Sequence, residues 1–281
     1  MRELSWVMVR RQIPTAEIEL ADILGTGNFG TVHQGRWLRR HESVAVKVPH
    51  PHHLRSAGYL EQLKRSVTLE LQLSAHPNVV KLYGWAAAAE GYGCKVMLVM
   101  ELAHGGSLEK LIATGATRDW TPSKTLWVAH QIACGLAFLH AQQPPLVHRD
   151  LKPANILFDA NSTPKIADFG VSRAFDRATL TASAVGTLHF AAPEQLLNAK
   201  YDTAVDVWAF GCSLACIALE LPATPFARHA ENMSLVVEVA QGTLRPEVPA
   251  SHCLHAYVRA CCVEAVRRPT ADALVEQLAG G

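Results

Sequence analysis

No stretch of this sequence is long and apolar enough to cross a bilayer. The apolar run Val207 to Leu219 is bounded by Asp206 and Glu220, well short of the roughly 20 residues a spanning helix needs, so a buried core helix is expected there. An excess of charge of one sign is also missing. The 26 Lys and Arg against 25 Asp and Glu leave a formal net charge of +1, which gives no general attraction to nucleic acid or to an anionic membrane and leaves only a local patch open. The start, Met1-Arg2-Glu3-Leu4-Ser5-Trp6, lacks a basic segment followed by an apolar run, so no signal peptide is expected. Of the 7 cysteines none forms a C-x-x-C pair, and the number is odd. That pattern fits reduced thiols in a cytoplasmic chain, packed as small hydrophobes. A zinc site from Cys253, His255 and Cys261 is conceivable but lacks the paired spacing. Internal repeats are absent, and low complexity is confined to the run Ala86 to Ala89. With 49% hydrophobic and 18% charged residues the chain is not disordered.

What is present reads as two unequal parts. A length of 281 residues suggests about two domains or lobes. The first third is strand-like: Ile18-Glu19-Leu20 leads into a glycine-rich turn, then Thr31-Val32-His33 and Val44 to Val48 alternate. Leu60, Leu63, Val67 and Leu71 have helical spacing, and Val79 to Tyr83 and Val96 to Met100 read as strands. After Gly105-Gly106 the pattern turns helical. Thr121-Pro122 forms an N-cap and first helical position before an apolar face of Leu126, Ala129, Ile132, Ala133, Leu136 and Leu139. Short strands at Ile156 to Phe158 and Lys165 to Ala167 precede helices expected near 203–220, 233–241, 254–262 and 271–278. Strands early and helices late predict an α+β protein whose two lobes join near Glu101 to Gly106.

Gly25-Thr26-Gly27-Asn28-Phe29-Gly30 is a G-x-G-x-x-G. A dinucleotide-binding unit would follow it with a helix, but Thr31 to Lys47 is strand-like, and no G-x-x-x-x-G-K-[ST] is present. A glycine-rich hairpin whose backbone N–H groups approach phosphate oxygens remains, beside the plainer alternative of an ordinary turn. His148-Arg149-Asp150-Leu151-Lys152-Pro153-Ala154-Asn155 is followed by Asp168-Phe169-Gly170. Phosphoryl transfer needs a group to orient the nucleophile, divalent cations to neutralise phosphate charge, and oxygens to hold them. One carboxylate of this set can accept the proton of an attacking hydroxyl, while the other and the amide oxygen hold Mg²⁺. A lone loop aspartate is usually just solvated; the whole ordered set is not so easily dismissed.

With Val44-Ala45-Val46-Lys47 and Ala192-Pro193-Glu194, these motifs resemble those of eukaryotic-type protein kinases over about residues 17 to 279. The resemblance implies a bilobal protein kinase fold: a 1–16 extension, a small β-rich N-lobe over 17–103 and a larger helical C-lobe over 104–279. It implies ATP and Mg²⁺ as cofactors and serine/threonine hydroxyls of a protein substrate as acceptors. Lys47 would pair with the α/β-phosphates, Asp150 would be the catalytic base, Lys152 would counter charge at the γ-phosphate, and Asn155 and Asp168 would ligate Mg²⁺. Gly25, Gly27 and Gly30 would cover the phosphates. Leu24, Val32, Ala45 and Leu157 would sandwich the adenine, with plain core packing as their alternative. Met100 would be the gatekeeper, and the Glu101 carbonyl and Ala103 N–H would bond the adenine edge. Asp206 to Gly211 resembles the buried helix that anchors the catalytic loop, and Glu194 would pair with Arg268.

Trp37, just after Gly30 to Arg36, resembles the tyrosine-kinase-like group (Raf-like and mixed-lineage-like), unless it serves packing alone. Lys152 and Gly186-Thr187 favour serine and threonine, with Thr187 bonding Asp150 and Lys152. Arg149 implies activation-loop phosphorylation by an upstream kinase or by autophosphorylation, since a phosphate of about −1.5 to −2 charge recruits arginine; Thr179, Thr181 and Ser183 are the candidates. Three departures stand out. Counting back from His76-Pro77-Asn78 puts Val67, beside Ser66, where the family has its activating glutamate. The nearest acid, Glu70, is one turn on and on the same face. Either that helix is shifted and Glu70 meets Lys47, or the ion pair is absent, with Glu61 and Glu70 simply solvated. Phe190 stands where tyrosine is usual. Pro49-His50-Pro51-His52-His53 is an insertion that could bind metal but is more simply a solvated loop. A pseudokinase or scaffold of the same fold, a dual-specificity kinase and a small-molecule kinase are the competing readings. Residues 1–16 are too short for a regulatory domain, so an isolated catalytic domain or a piece of a longer product is expected.

Overall fold

The computed structural model describes residues 11–27, 30–54, 56–73, 76–90, 93–168, 188–226 and 233–280. They separate into two compact units, one running up to His104 and the other starting at Gly105.

The first unit is built on five antiparallel strands: β1 (Ile18–Gly27), β2 (Gly30–Trp37), β3 (Glu42–Pro49), β4 (Leu82–Glu90) and β5 (Gly93–Glu101). Their spatial order is β1-β2-β3-β5-β4. A single helical turn, α1 (Pro51–Leu54), and a long helix, α2 (Ala57–Leu73), follow β3. Alternation along the strands sends side chains to opposite faces. On one face Val44, Val46, Met97 and Val99 join Ile13, Ile18, Trp37 and Ala86. On the other, Leu82 and Leu98 pack with Tyr59, Leu63 and Val67 of α2. Trp37 is therefore a core residue, and its indole donates to Glu17 Oε2 at 3.0 Å.

The apolar run from Val79 does not begin a strand. Val79 and Val80 are buried, but the Val79 N–H bonds the His76 carbonyl in a turn. β4 starts at Leu82 and carries the alanine run on to Glu90. The histidine-rich insertion is not a plain loop either: α1 brings the His52 and His53 rings to 4.0 Å, and His53 stacks on Tyr59 at 5.0 Å.

The second unit has a small sheet of β6 (Gly106–Ser107), β7 (Ile156–Phe158) and β8 (Pro164–Ile166). β8 ends one residue before the sequence suggested, because the Ala167 N–H leaves the ladder for the Asn155 carbonyl. Helices supply the rest: α3 (Leu108–Ala113), α4 (Pro122–His140), α5 (Pro193–Leu196), α6 (Ala204–Leu219), α7 (Met233–Ala240), α8 (His255–Cys261) and α9 (Ala271–Ala279). Thr121 caps α4 by accepting the Lys124 N–H at 3.2 Å. α6 is buried from Val205 to Ile217, as the uncharged run that begins at Val207 requires, and the burial takes in Asp206 as well. α8 packs closely on it: a Cβ on Gly211 would lie 2.6 Å from Cys261 Cβ, so only glycine fits there. Cys212, Cys216, Cys261 and Cys262 are buried beside this contact, and burial pushes the Cys212, Cys216 and Cys261 thiols well up. His255 Nδ1 donates to the Val248 carbonyl at 2.7 Å. No three His, Cys, Asp or Glu side chains among the described residues are grouped as a metal site.

Candidate active site

In the second unit the loop from His148 to Asn155 is fixed by its neighbours. Asp206, fully buried at the start of α6, accepts the His148 N–H through Oδ2 and the Arg149 N–H through Oδ1, both at 2.8 Å. His140, at the end of α4, adds a bond from Nε2 to Oδ2 at 2.9 Å. His148 Nδ1 accepts the Asp150 N–H at 3.2 Å, which leaves the ring proton on Nε2, and Nε2 donates to the Ala167 carbonyl at 2.9 Å. Ala167 in turn donates its N–H to the Asn155 carbonyl at 2.9 Å. Asp168 is thus tethered next to Asn155. Arg149 (φ 72°) and Asp168 (φ 62°) both take the left-handed backbone region. Such a residue costs about 1–3 kcal/mol, held by the surrounding bonds.

Asp150 is the hub of this loop. Lys152 Nζ lies 2.9 Å from its Oδ2 and 3.1 Å from its Oδ1, and both side chains are partly exposed. Asn155 Nδ2 donates to the Asp150 carbonyl at 2.8 Å and to Oδ2 at 3.0 Å. Both Nδ2 bonds of Asn155 go to Asp150, so its Oδ1 is not used in them. That oxygen and the exposed Asp168 carboxylate are hard donors of the kind Mg²⁺ prefers. A cation that takes one or two protein oxygens and completes its shell with phosphate and water needs no larger cage. Leu157 lies in β7, half-buried and paired with Ser107 and Lys165.

In the first unit the strand register brings most of the expected nucleotide residues to one face. Val32 pairs with Lys47, Lys47 with Leu98, and Ala45 with Met100. This is the face on which α2 packs. Lys47 is 6% exposed, and the Tyr59 hydroxyl lies close enough to feel its charge: burial raises the Tyr59 pKa, and Lys47 pulls it partly back. Glu70 is 8% exposed and accepts the Ser66 hydroxyl at 3.2 Å, whereas Glu61 faces solvent and pairs with Arg65. Tyr59, Leu63, Val67 and Glu70 fall on one stripe of α2, so Glu70 is the inward acid and Glu61 is not.

Gly25 pairs with Val32 and Gly27 with Gly30 where β1 turns into β2, and Leu24 beside them is 51% exposed. A Cβ at Gly30 would lie 2.4 Å from the Val48 carbonyl oxygen. His50 Nε2 donates to the Gly27 carbonyl at 2.9 Å. Glu101 closes β5 with its N–H on the Lys81 carbonyl, and Ala103 follows in irregular chain.

Glu194 pairs with Arg268 as expected, through Nη1 to Oε1 and through Nη2 to Oε2 at 3.0 Å. His189 is buried, with neither ring nitrogen at hydrogen-bond distance from a partner among the described residues. Asn28, Phe29, Phe169, Gly170, Thr179, Thr181, Ser183, Gly186 and Thr187 lie outside the described residues. Sequence reasoning missed His140 and Tyr59. His140 sits on a helix far in sequence from Asp206, and Tyr59 on the helix that follows the strand of Lys47, with no spacing motif to mark either.

The sequence profile of the protein kinase domain matches residues 18–278. A probable serine/threonine-protein kinase of Dictyostelium discoideum is 30% identical over 270 residues, covering 95% of this chain and 16% of that protein. CBL-interacting serine/threonine-protein kinase 10 of Arabidopsis thaliana is 33% identical over 71% of this chain and 40% of its own length. Serine/threonine-protein kinase PknB of Mycobacterium leprae is 33% identical over 70% of this chain and 31% of its own. The chain thus spans less than half the length of each of these relatives.

Proposed function

The chain belongs to the protein kinase family, and from that premise we propose that it transfers the γ-phosphoryl group of ATP to serine or threonine hydroxyls of protein substrates. The observation that carries this reading is the Asp150 hub, with a lysine and an asparagine directed onto one carboxylate. Asp150 orients the acceptor hydroxyl and takes its proton. Lys152, an ammonium beside that carboxylate, offsets negative charge at the group in transfer. Asn155 and Asp168 would hold Mg²⁺, which when bound neutralises phosphate charge. Lys47 binds the α/β-phosphates, and Glu70 holds Lys47 in place; the burial of both and the nearness of Tyr59 to Lys47 support that pairing. The backbone at Gly25, Gly27 and Gly30 covers the phosphates. Leu24, Val32, Ala45, Met100 and Leu157 take the adenine, whose edge bonds Glu101 and Ala103.

In this reading the N-lobe is 17–103 and the C-lobe 104–279, after a 1–16 extension. The protein acts in the cytoplasm in signalling and is switched by an upstream kinase or by itself at Thr179, Thr181 or Ser183. Trp37 favours the tyrosine-kinase-like group.

The test is incubation of the purified chain with radiolabelled ATP, Mg²⁺ and serine, threonine and tyrosine peptides. Labelling of serine and threonine peptides is expected, with loss in Asp150→Ala and in Lys47→Met. Unchanged labelling in either variant contradicts the assignment, and labelling confined to tyrosine overturns the acceptor class. Stabilisation by Mg²⁺-ATP without turnover would mark a scaffold instead.

A further inference from the structure

β4 is an edge strand of the first unit's sheet, yet part of its outer side is taken. Ile13 donates its N–H to the Trp85 carbonyl at 2.8 Å, the Trp85 N–H donates to the Arg11 carbonyl at 3.1 Å, and Gln12 runs parallel to Trp85 between them. Ile13 sinks its side chain into the cluster of Ile18, Val44, Val46 and Val99 and is 5% exposed. Gly84 makes the room. A Cβ there would lie 2.1 Å from the Arg11 carbonyl oxygen, a backbone atom with nowhere to swing. Gly84 shows no left-handed φ, so it is the missing volume, not conformational freedom, that the site requires.

Trp85 is held from two sides. Its backbone is bound by residues 11–13, while its side chain packs against the opposite cluster, where Tyr59, Leu63 and Val67 of α2 meet Leu82 and Leu98. α2 is the helix that carries the buried Glu70. One buried isoleucine and two backbone bonds do little more than offset the entropy of ordering three residues.

We propose that residues 11–13 are a releasable sixth strand whose docking on β4 holds Trp85 and, through it, steadies α2. Release loosens the helix that bears Glu70, so that events in the chain before residue 11 reach the nucleotide-binding unit. The consequence for nucleotide rests on the reading of Glu70 as the partner of Lys47; the mechanical coupling does not.

Gly84→Ala tests the coupling, because one methyl group evicts Arg11 without disturbing a strand conformation. Trypsin acts at the Arg11–Gln12 bond, and hydrogen exchange reports α2 over 57–73, with α6 as the control. In Gly84→Ala, cleavage after Arg11 and exchange in α2 are each expected to rise about tenfold, with α6 unchanged. Ile13→Ser, which leaves the strand β4 intact, is expected to do the same and decides the matter if Gly84→Ala does not fold. Unchanged cleavage overturns the docked strand. Faster cleavage with α2 exchange unchanged overturns the coupling. Neither readout needs catalysis, so a Lys47→Met protein that keeps full labelling activity, with normal cleavage and exchange, would count against the nucleotide reading alone.

Discussion

Asp206 carries three hydrogen bonds on two oxygens in a place without solvent, and two of them come from backbone N–H groups of the catalytic loop. An amide cannot replace it, since its NH₂ would face a donor. Asp206→Asn is expected to lower stability by about 1–3 kcal/mol, the cost of a buried donor left unmet. Urea denaturation measures the loss, and the peptide assay should fall with it as the loop slackens. His189 behaves differently because it titrates. Burial holds its imidazole below the ordinary range, with a smaller opposite pull from the Ala223 backbone. The unfolded chain therefore takes the proton first as pH falls, so stability is full above about pH 6.5 and declines below it. Urea midpoints at pH 7.5 and 5.5 should show this decline, and His189→Phe should flatten part of it. His252, also held low by burial, adds to the slope in both proteins.

At the scale of elements, Thr121 shows local chemistry deciding where a helix begins. Its hydroxyl meets the Lys124 N–H, and proline occupies the first helical position. Thr121→Ala should cost about 1 kcal/mol in thermal unfolding, with little change in turnover. Elements of this kind were legible in the sequence because their signals are local: caps, periodic faces and β-branched runs. The start of α4 and the ends of α6 and α9 fall within a residue or so of the sequence reading. The start of β4 did not, since Val79 and Val80 are apolar for burial at and just after a turn and carry no sign that distinguishes that from a strand. The pairing of Ile13 with Trp85 was out of reach for another reason. Three residues beside a distant strand leave no periodicity, and the one trace, a glycine at 84, reads as an ordinary strand interruption. Likewise the motif register pointed to Val67, and only the helix face turned inward shows Glu70 to be the buried acid.

Across the second unit as a whole, Arg268 is the tie between distant segments. Its guanidinium binds Glu194 at α5 and the Ala204 carbonyl at α6, while Nε bonds the Val263 carbonyl and the plane lies 5.1 Å from the Trp208 ring. Arg268→Ala leaves Glu194 without its buried cation. A loss of about 3–5 kcal/mol is expected in chemical denaturation, and Arg268→Lys, which has no planar fork, should recover only part of it. The pairing was legible because both residues sit in family motifs; the carbonyls that Arg268 also gathers were not.

The thiols sealed between α6 and α8 have an experimental use. Cys212, Cys216, Cys261 and Cys262 lie away from solvent, and burial keeps the thiols of Cys212, Cys216 and Cys261 protonated, so an alkylating reagent can modify them only when that helical contact parts. Counting adducts by mass spectrometry against time would turn these side chains into a built-in clock for the opening of the helical half, with no label added.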